Sequence, residues 1–148
     1  MKLHLQGSNT LNSSREKVYS LLTDPNFISK TLPDAEDVRV LDGSSLEAKM
    51  KLRVAVVSTT LRMKMSVVRT APPLEATLVA EGTGSGSSLK ITSVFDLSED
   101  SPTMMAWSAD AEIGGVMAGI GSTLLKGFAT KKVAEIFSGI IKAVEATA

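Results

Sequence analysis

Cysteine is absent from the 148 residues, which excludes disulfides, thiolate chemistry and any cysteine-ligated zinc or iron–sulfur site. Histidine occurs once, at His4, so a histidine metal site or a catalytic triad has no second member. No charge of one sign dominates: 16 basic and 16 acidic residues cancel. Without a basic block to track a phosphate backbone, nucleic acid is excluded as a partner. Long hydrophobic runs are missing too. The longest, Ile113 to Ile120, is broken by glycines and falls far short of the roughly 20 residues that span a bilayer. The opening MKLHLQGSN turns polar within six residues, unlike a signal peptide. These absences predict a soluble, cytoplasmic chain with no metal and no cofactor. Aromatics are scarce at 4%, although 43% of residues are hydrophobic. The apolar content is therefore aliphatic plus methionine, whose flexible thioether suits either a core gap or a surface that adapts to a guest.

What is present reads as one domain over residues 1–148, near the commonest domain size. Met1 to Asn9 alternates Leu3, Leu5 and Gly7 against Lys2, His4 and Gln6, a strand of period two. Ser13 or Ser14 starts a first short helix: Ser13 with Glu16 fits a capping box, and Val18, Leu21 and Leu22 make its apolar stripe. Asp24-Pro25 ends it and opens a second, Asn26 to Thr31, closed by Leu32-Pro33. From Ala35 onward the period is two through six successive runs. Leu46, Ala48, Met50, Leu52 and Val54 oppose Glu47, Lys49, Lys51 and Arg53, and Leu61, Met63, Met65 and Val67 oppose Arg62, Lys64 and Ser66. In the first run Val38 and Val40 alternate with Asp37 and Arg39, and the last three carry Leu74 to Ala80, Leu89 to Leu97 and Met105 to Ile113 on the dry phase. Short turns between alternating runs predict an antiparallel meander with one wet face. After Gly114-Gly115 the spacing changes to three or four: Met117, Ile120, Leu124, Phe128, then Val133, Ile136, Phe137, Ile140 and Ile141. Lys126, Lys131, Lys132, Glu135 and Lys142 fall opposite. This is a long amphipathic helix, and no other element is long enough to cover the dry face of the sheet.

The element order and several short motifs resemble the START-like (SRPBCC) superfamily, and within it the G-subunit family of carbon monoxide dehydrogenase. The resemblance rests on Gly7 followed by Glu16, Val18, Leu21, Leu22 and Asp24-Pro25; on Leu32-Pro33 where the family has Pro-Gly; on Ala71-Pro72-Pro73; and on Gly82-Thr83-Gly84. Ile113-Gly114-Gly115-Val116-Met117-Ala118-Gly119-Ile120-Gly121 is similar to the family's Gly-Gly-x-Leu-Ala-x-x-Gly motif, with Met117 where Leu is usual. The resemblance implies an α+β helix-grip fold: a curved seven-stranded antiparallel sheet around a long C-terminal helix, with two short helices after the first strand. It also implies an accessory protein of a molybdenum hydroxylase-type enzyme, the molybdenum-containing CO dehydrogenase, that binds a lipid, isoprenoid or other large hydrophobic molecule. Many relatives extend beyond the grip helix toward a membrane. An end at Ala148 predicts no stable anchor, leaving transient contact with a membrane surface.

Other motifs are better explained by geometry. Gly82 to Lys90 is rich in glycine, yet no Lys-Ser/Thr pair opens a helix there, so a hairpin turn is favoured over a phosphate loop. Gly115, Gly119 and Gly121 lack dinucleotide spacing and follow an antiparallel strand; they let the chain turn and approach the sheet. Asp110 and Glu112 lie on the wet phase. Trp107 lies on the dry phase, either as a core residue or stacked on a flat ring.

Small dry-face residues, Ala48, Ala76, Ala80, Ala109 and Ala111, predict a hollow beneath the long helix. Its expected lining is Met50, Met63, Met65, Leu78, Ile91, Phe95, Met105, Trp107, Met117, Ile120 and Leu124. Such a lining recognises apolar shape and holds no titratable pair to move protons, so a carrier is expected and not an enzyme. Two alternatives stay open on sequence: a cyclase or dehydratase with Tyr19, Ser93 or Asp110 inside the pocket, and an interaction module whose core is filled.

Overall fold

The computed structural model describes residues 1–32 and 34–147. Its elements run β1 (Lys2–Leu11), α1 (Arg15–Leu22), α2 (Pro25–Ser29), β2 (Ala35–Asp42), β3 (Ser45–Val54), β4 (Val57–Ala71), β5 (Glu75–Gly84), β6 (Ser87–Ser98), β7 (Thr103–Gly115), a 3₁₀ turn at Val116–Ile120, and α3 (Ser122–Ala146). The strands form one antiparallel sheet in the order β1-β7-β6-β5-β4-β3-β2. β2 to β7 are a meander, and β1 closes onto β7 with Gly7 opposite Trp107. The two short helices carry the chain from one sheet edge to the other.

Local chemistry places the short helices. Of the two serines that could start α1, Ser14 is the cap and accepts a hydrogen bond from the Lys17 amide at 3.3 Å. Asp24 caps α2 through the Asn26 amide at 2.9 Å, with Pro25 as its first residue. Pro33, expected to close that helix, lies outside the described residues. The glycine-rich stretch also differs from its reading as a turn. Gly82 to Gly84 belong to β5, and Ser85-Gly86 alone make the turn into β6.

The apolar interior is divided into three clusters. One gathers Leu11, Val18, Tyr19, Leu22, Phe95, Leu97, Met105, Ile140 and Val144 beneath α1 and the end of α3. A second, at the opposite end, gathers Leu3, Val54, Leu61, Ile113, Met117 and Leu125. A third joins Ile28 of α2 to Leu46 and Ala48. Between them, Ala80, Ile91, Ser93 and Ala109 are half-buried at the middle of the sheet and belong to none of the three. They are neighbours, with Ala80 opposite Ile91 and Ser93 opposite Ala109. Three of the four, Ala80, Ser93 and Ala109, have side chains of only one or two heavy atoms.

α3 makes its main backbone approaches to β1 and β3, on opposite sides of the sheet. It runs for 25 residues, about 37 Å at the usual rise. Its phase differs from the one read in the sequence. Gly121 (φ +101°) separates the 3₁₀ turn from α3, so Met117 and Ile120 do not continue into the helical stripe. Leu125 is buried in place of Leu124, which is 54% exposed. Lys132, expected on the wet side, lies on the same stripe as Phe128 and Ile136 with its side chain only 21% exposed.

One cross-strand pair opposes stability. Glu75 and Asp96 face each other on β5 and β6. Partial burial, followed by the hydrogen bond to and negative charge of Glu75, holds the Asp96 carboxyl above its ordinary pKa. A raised carboxylate pKa favours folding when the group is protonated, and that contribution is lost as pH rises through the folded value. Asp96→Asn should therefore raise the melting temperature at pH 7 by about 1–3 °C. The difference should vanish below the ordinary carboxylate range, as scanning calorimetry across pH would record.

Candidate functional site

A groove of about 540 Å³ runs along the β1 edge between the sheet and α3. β1 contributes Leu5 to Asn9, β7 contributes Trp107, and α3 contributes Val133, Phe137 and Ile141 with Ser138 and Lys142 at its polar rim. Residues of both phases of β1 take part because an edge strand is open on its outer side.

Trp107 organises the site. Its indole Nε1 donates to Asn9 Oδ1 at 3.1 Å, and its ring stacks on Phe137 with centroids 4.9 Å apart and planes tilted by 31°. A side chain at Gly7 would meet the indole, since a Cβ there would stand 2.8 Å from Trp107 Cζ2. The missing Cβ lets the indole lie over β1 and reach both Asn9 and the helix. An aromatic pair of this kind contributes about 0.5–1.5 kcal/mol beyond its area, and the hydrogen bond fixes the ring's orientation. The groove therefore offers a preset aromatic wall, aliphatic side chains, and one ionisable group, Lys142.

A second depression, of about 410 Å³, lies beside Tyr19, Thr23 and Arg69. Tyr19 and Arg69 are already engaged there. The Tyr19 hydroxyl donates to the Glu75 carbonyl at 2.8 Å, and burial raises its pKa. Arg69 donates to the Thr23 and Gly43 carbonyls at 2.8 and 2.9 Å. Asp110 faces solvent and holds His4 at 2.7 Å. Among the described residues no helix is long and apolar enough to cross a membrane.

The family model for the G subunit of carbon monoxide dehydrogenase (CoxG) matches residues 7–145. The chain belongs to the CoxG family. A conserved protein from Geobacillus kaustophilus superposes on it with a TM-score of 0.85 at 27% identity, covering 96% of this chain and 95% of that one. A START superfamily protein from Mycobacterium smegmatis gives 0.73 at 14% identity, over 98% and 99% of the two chains. The Zhui aromatase/cyclase from Streptomyces sp. R1128 gives 0.69 at 12% identity, over 98% and 94%. These place the CoxG chain on the START-like helix-grip fold. Comparison with curated proteins gives no match.

In this CoxG chain the eleven residues expected to line one hollow are dispersed. Trp107 alone of them borders the β1 groove. Phe95, Met105 and Met117 are buried, at 5%, 1% and 4% exposure, and fill clusters with Leu78, Met63 and Ile120 packed alongside. Met50 and Met65 pack on the cluster under α2. Ile91 stays at the half-buried centre of the sheet. Leu124 is a correction: it points outward, because Gly121 resets the phase before α3 begins. Gly7, Asn9 and Phe137 join the site without having been expected there. Phe137 is legible as a member of the apolar stripe, but Gly7 and Asn9 become site residues only through the β1–β7 register.

Lys132 is a further residue whose role the sequence conceals. Its ammonium pairs with Asp34 and, at 3.1 Å, with Glu135, and sits 5.6 Å from the centre of the Phe128 ring. The hydrogen bond to Asp34, reinforced by Glu135, raises its pKa. This cluster ties α3 to the segment before β2, across the sheet from the groove. Lys132→Met should lower stability by about 1 kcal/mol, which a urea titration would register as an earlier midpoint with unchanged slope.

Proposed function

We propose that this CoxG-family chain is a non-enzymatic carrier or accessory protein that binds a lipid, isoprenoid or quinone-like molecule beneath α3. The observation that carries this reading is the groove at the β1 edge, walled by the Trp107–Phe137 stack, beside a sheet centre that no buried cluster fills. Trp107 borders both, since its strand neighbour Ala109 and cross-strand partner Phe95 face the same side. An isoprenoid or acyl chain entering there leaves water at about 0.8 kcal/mol per CH₂, and the aromatic pair offers a flat ring a stacking surface. Lys142, Ser138 and Gln6 stay at the rim to meet a polar head. The lining supports binding over catalysis, because Lys142 has no titratable partner in the groove to share a proton transfer. The family's name supports service to a CO dehydrogenase, which we take to be a molybdenum-containing, cytoplasmic enzyme.

Native mass spectrometry of freshly purified protein, before and after extraction with organic solvent, tests the proposal. The expected result is a heavier species that loses one small molecule on extraction. A single ligand-free mass in both samples would overturn it. Ser138→Trp, which fills the groove from α3, should purify without the bound molecule.

A further inference from the structure

We infer that two copies of this chain pair antiparallel along β1, edge to edge, joining their sheets and completing each other's groove. The inference concerns assembly and stands whatever the groove holds. The two edges of the sheet are built differently. β2 is protected against pairing: its register slips between Glu36 and Arg39 and again between Val40 and Asp42. Asp37 has φ +50°, and Glu36, Asp37, Arg39 and Asp42 charge the strand. Bulges and charges of this kind keep an edge strand from recruiting another. β1 has none of these defences. It pairs with β7 without a slip from Lys2 to Leu11, contains no proline, and carries charge only at Lys2 and, when protonated, His4. Gln6, Gly7 and Ser8 at its middle are exposed.

The hydrogen-bond phase of β1 fixes which of its groups are free. Met1 and Ile113 exchange both main-chain bonds, at 2.8 and 2.7 Å, and such pairs alternate along an antiparallel ladder. Leu3, Leu5, Gly7, Asn9 and Leu11 therefore bond to β7. The N–H and C=O groups of Lys2, His4, Gln6, Ser8 and Thr10 point outward. One antiparallel register uses all of these residues in both copies. It sets Gln6 against Gln6, His4 against Ser8 and Lys2 against Thr10, so no like charges meet. A strand that matches its own reverse is what a two-fold dimer requires. In the same register Leu5 of one copy lies opposite Gly7 of the other, in the close, non-hydrogen-bonded position. Leu5 lines the groove, and the indole of Trp107 lies over Gly7, so the second copy's Leu5 extends the groove's apolar wall. A stable interface needs about 800 Å² per partner. Beyond the strands, α3 supplies area: Thr130, Ala134 and Ser138 border the groove with small side chains and leave room for the second copy's helix.

Sedimentation velocity of the full chain over rising concentration tests the inference, and wild type should reach a dimer. Ser8→Pro removes one outward donor from each copy and leaves the β7 ladder intact, so it should weaken the dimer by at least about tenfold. Gln6→Glu and Gln6→Lys each place like charges face to face and should also weaken it, whereas an equal mixture of the two should restore the dimer. Leu41→Asp, on the other edge of the sheet, should dimerise like wild type. Hydrogen exchange gives a second measurement: the amides of His4, Gln6 and Ser8 should be slow in the wild-type dimer and fast in Gln6→Lys. Melting curves establish that the variants fold, and if Ser8→Pro unfolds, the two Gln6 variants carry the test. A wild type that stays monomeric overturns the inference, as does a dimer indifferent to the Gln6 charges. So does a monomer whose edge amides slow only when a second protein is added, because β1 would then receive that protein's strand.

Discussion

Trp107→Ala is expected to lower stability by about 2–3 kcal/mol and to empty the site. The indole is half-buried, so the loss is smaller than the 3–5 kcal/mol typical of a large aromatic removed from a full core. Three contributions disappear together. The apolar contact between β7 and α3 is lost, the stack on Phe137 at 4.9 Å goes with it, and Asn9 Oδ1 loses its donor. At roughly 3 °C per kcal/mol for a chain of this size, the melting temperature should fall by about 6–9 °C. Trp107→Phe separates the roles. It keeps a stacking ring and removes the hydrogen bond, so it should cost about 1 kcal/mol and retain bound ligand. Both readouts come from one preparation, by differential scanning fluorimetry and native mass spectrometry. Unchanged ligand retention in Trp107→Ala would separate the binding site from the groove.

Gly115→Ala should be at least as damaging, and for a backbone reason. Gly115 has φ +75° and ψ −146°, a region that residues with a Cβ scarcely visit and that costs of order 1–3 kcal/mol. The new methyl would also lie 2.0 Å from the Gly86 carbonyl oxygen. That oxygen cannot move aside, because it accepts the Val116 amide at 3.0 Å and so ties the 3₁₀ turn to the β5–β6 hairpin. A loss above about 3 kcal/mol is expected, seen as poor folded yield and an early urea midpoint. Gly127 supplies the contrast. It lies within α3 with nothing within 4 Å of its Cβ position, so Gly127→Ala should stabilise by up to about 1 kcal/mol. Equal melting temperatures for the two variants would contradict the backbone account.

The strands were legible because their alternation is almost uninterrupted, and a period of two commits each side chain to one face; β2, bulged against β3, departs from it and leaves Val40 and Leu41 exposed. The Asp24-Pro25 step was legible for a similar reason, since proline at the first helical position uses an amide the helix leaves free. The start of α3 was not. Met117, Ile120, Leu124 and Phe128 fit one helical stripe on paper, and nothing local announces that Gly121 restarts the count. Lys132 was hidden by its type: a lysine in a stripe reads as solvated until a carboxylate from another segment, Asp34, meets it.

The candidate site divides along the same line. Trp107 was visible from its dry phase, and Phe137 from its place in the helix. Their meeting with Asn9 over Gly7 required β1 to pair with β7 across more than ninety residues of chain. The sequence by itself determined which faces shun water, how many strands alternate and where turns fall, because these follow from near-neighbour chemistry. The tertiary structure alone decided that the interior splits into three clusters and that the accessible apolar groove lies at the sheet edge. Those outcomes depend on contacts between side chains remote from one another in the chain, which no local pattern encodes.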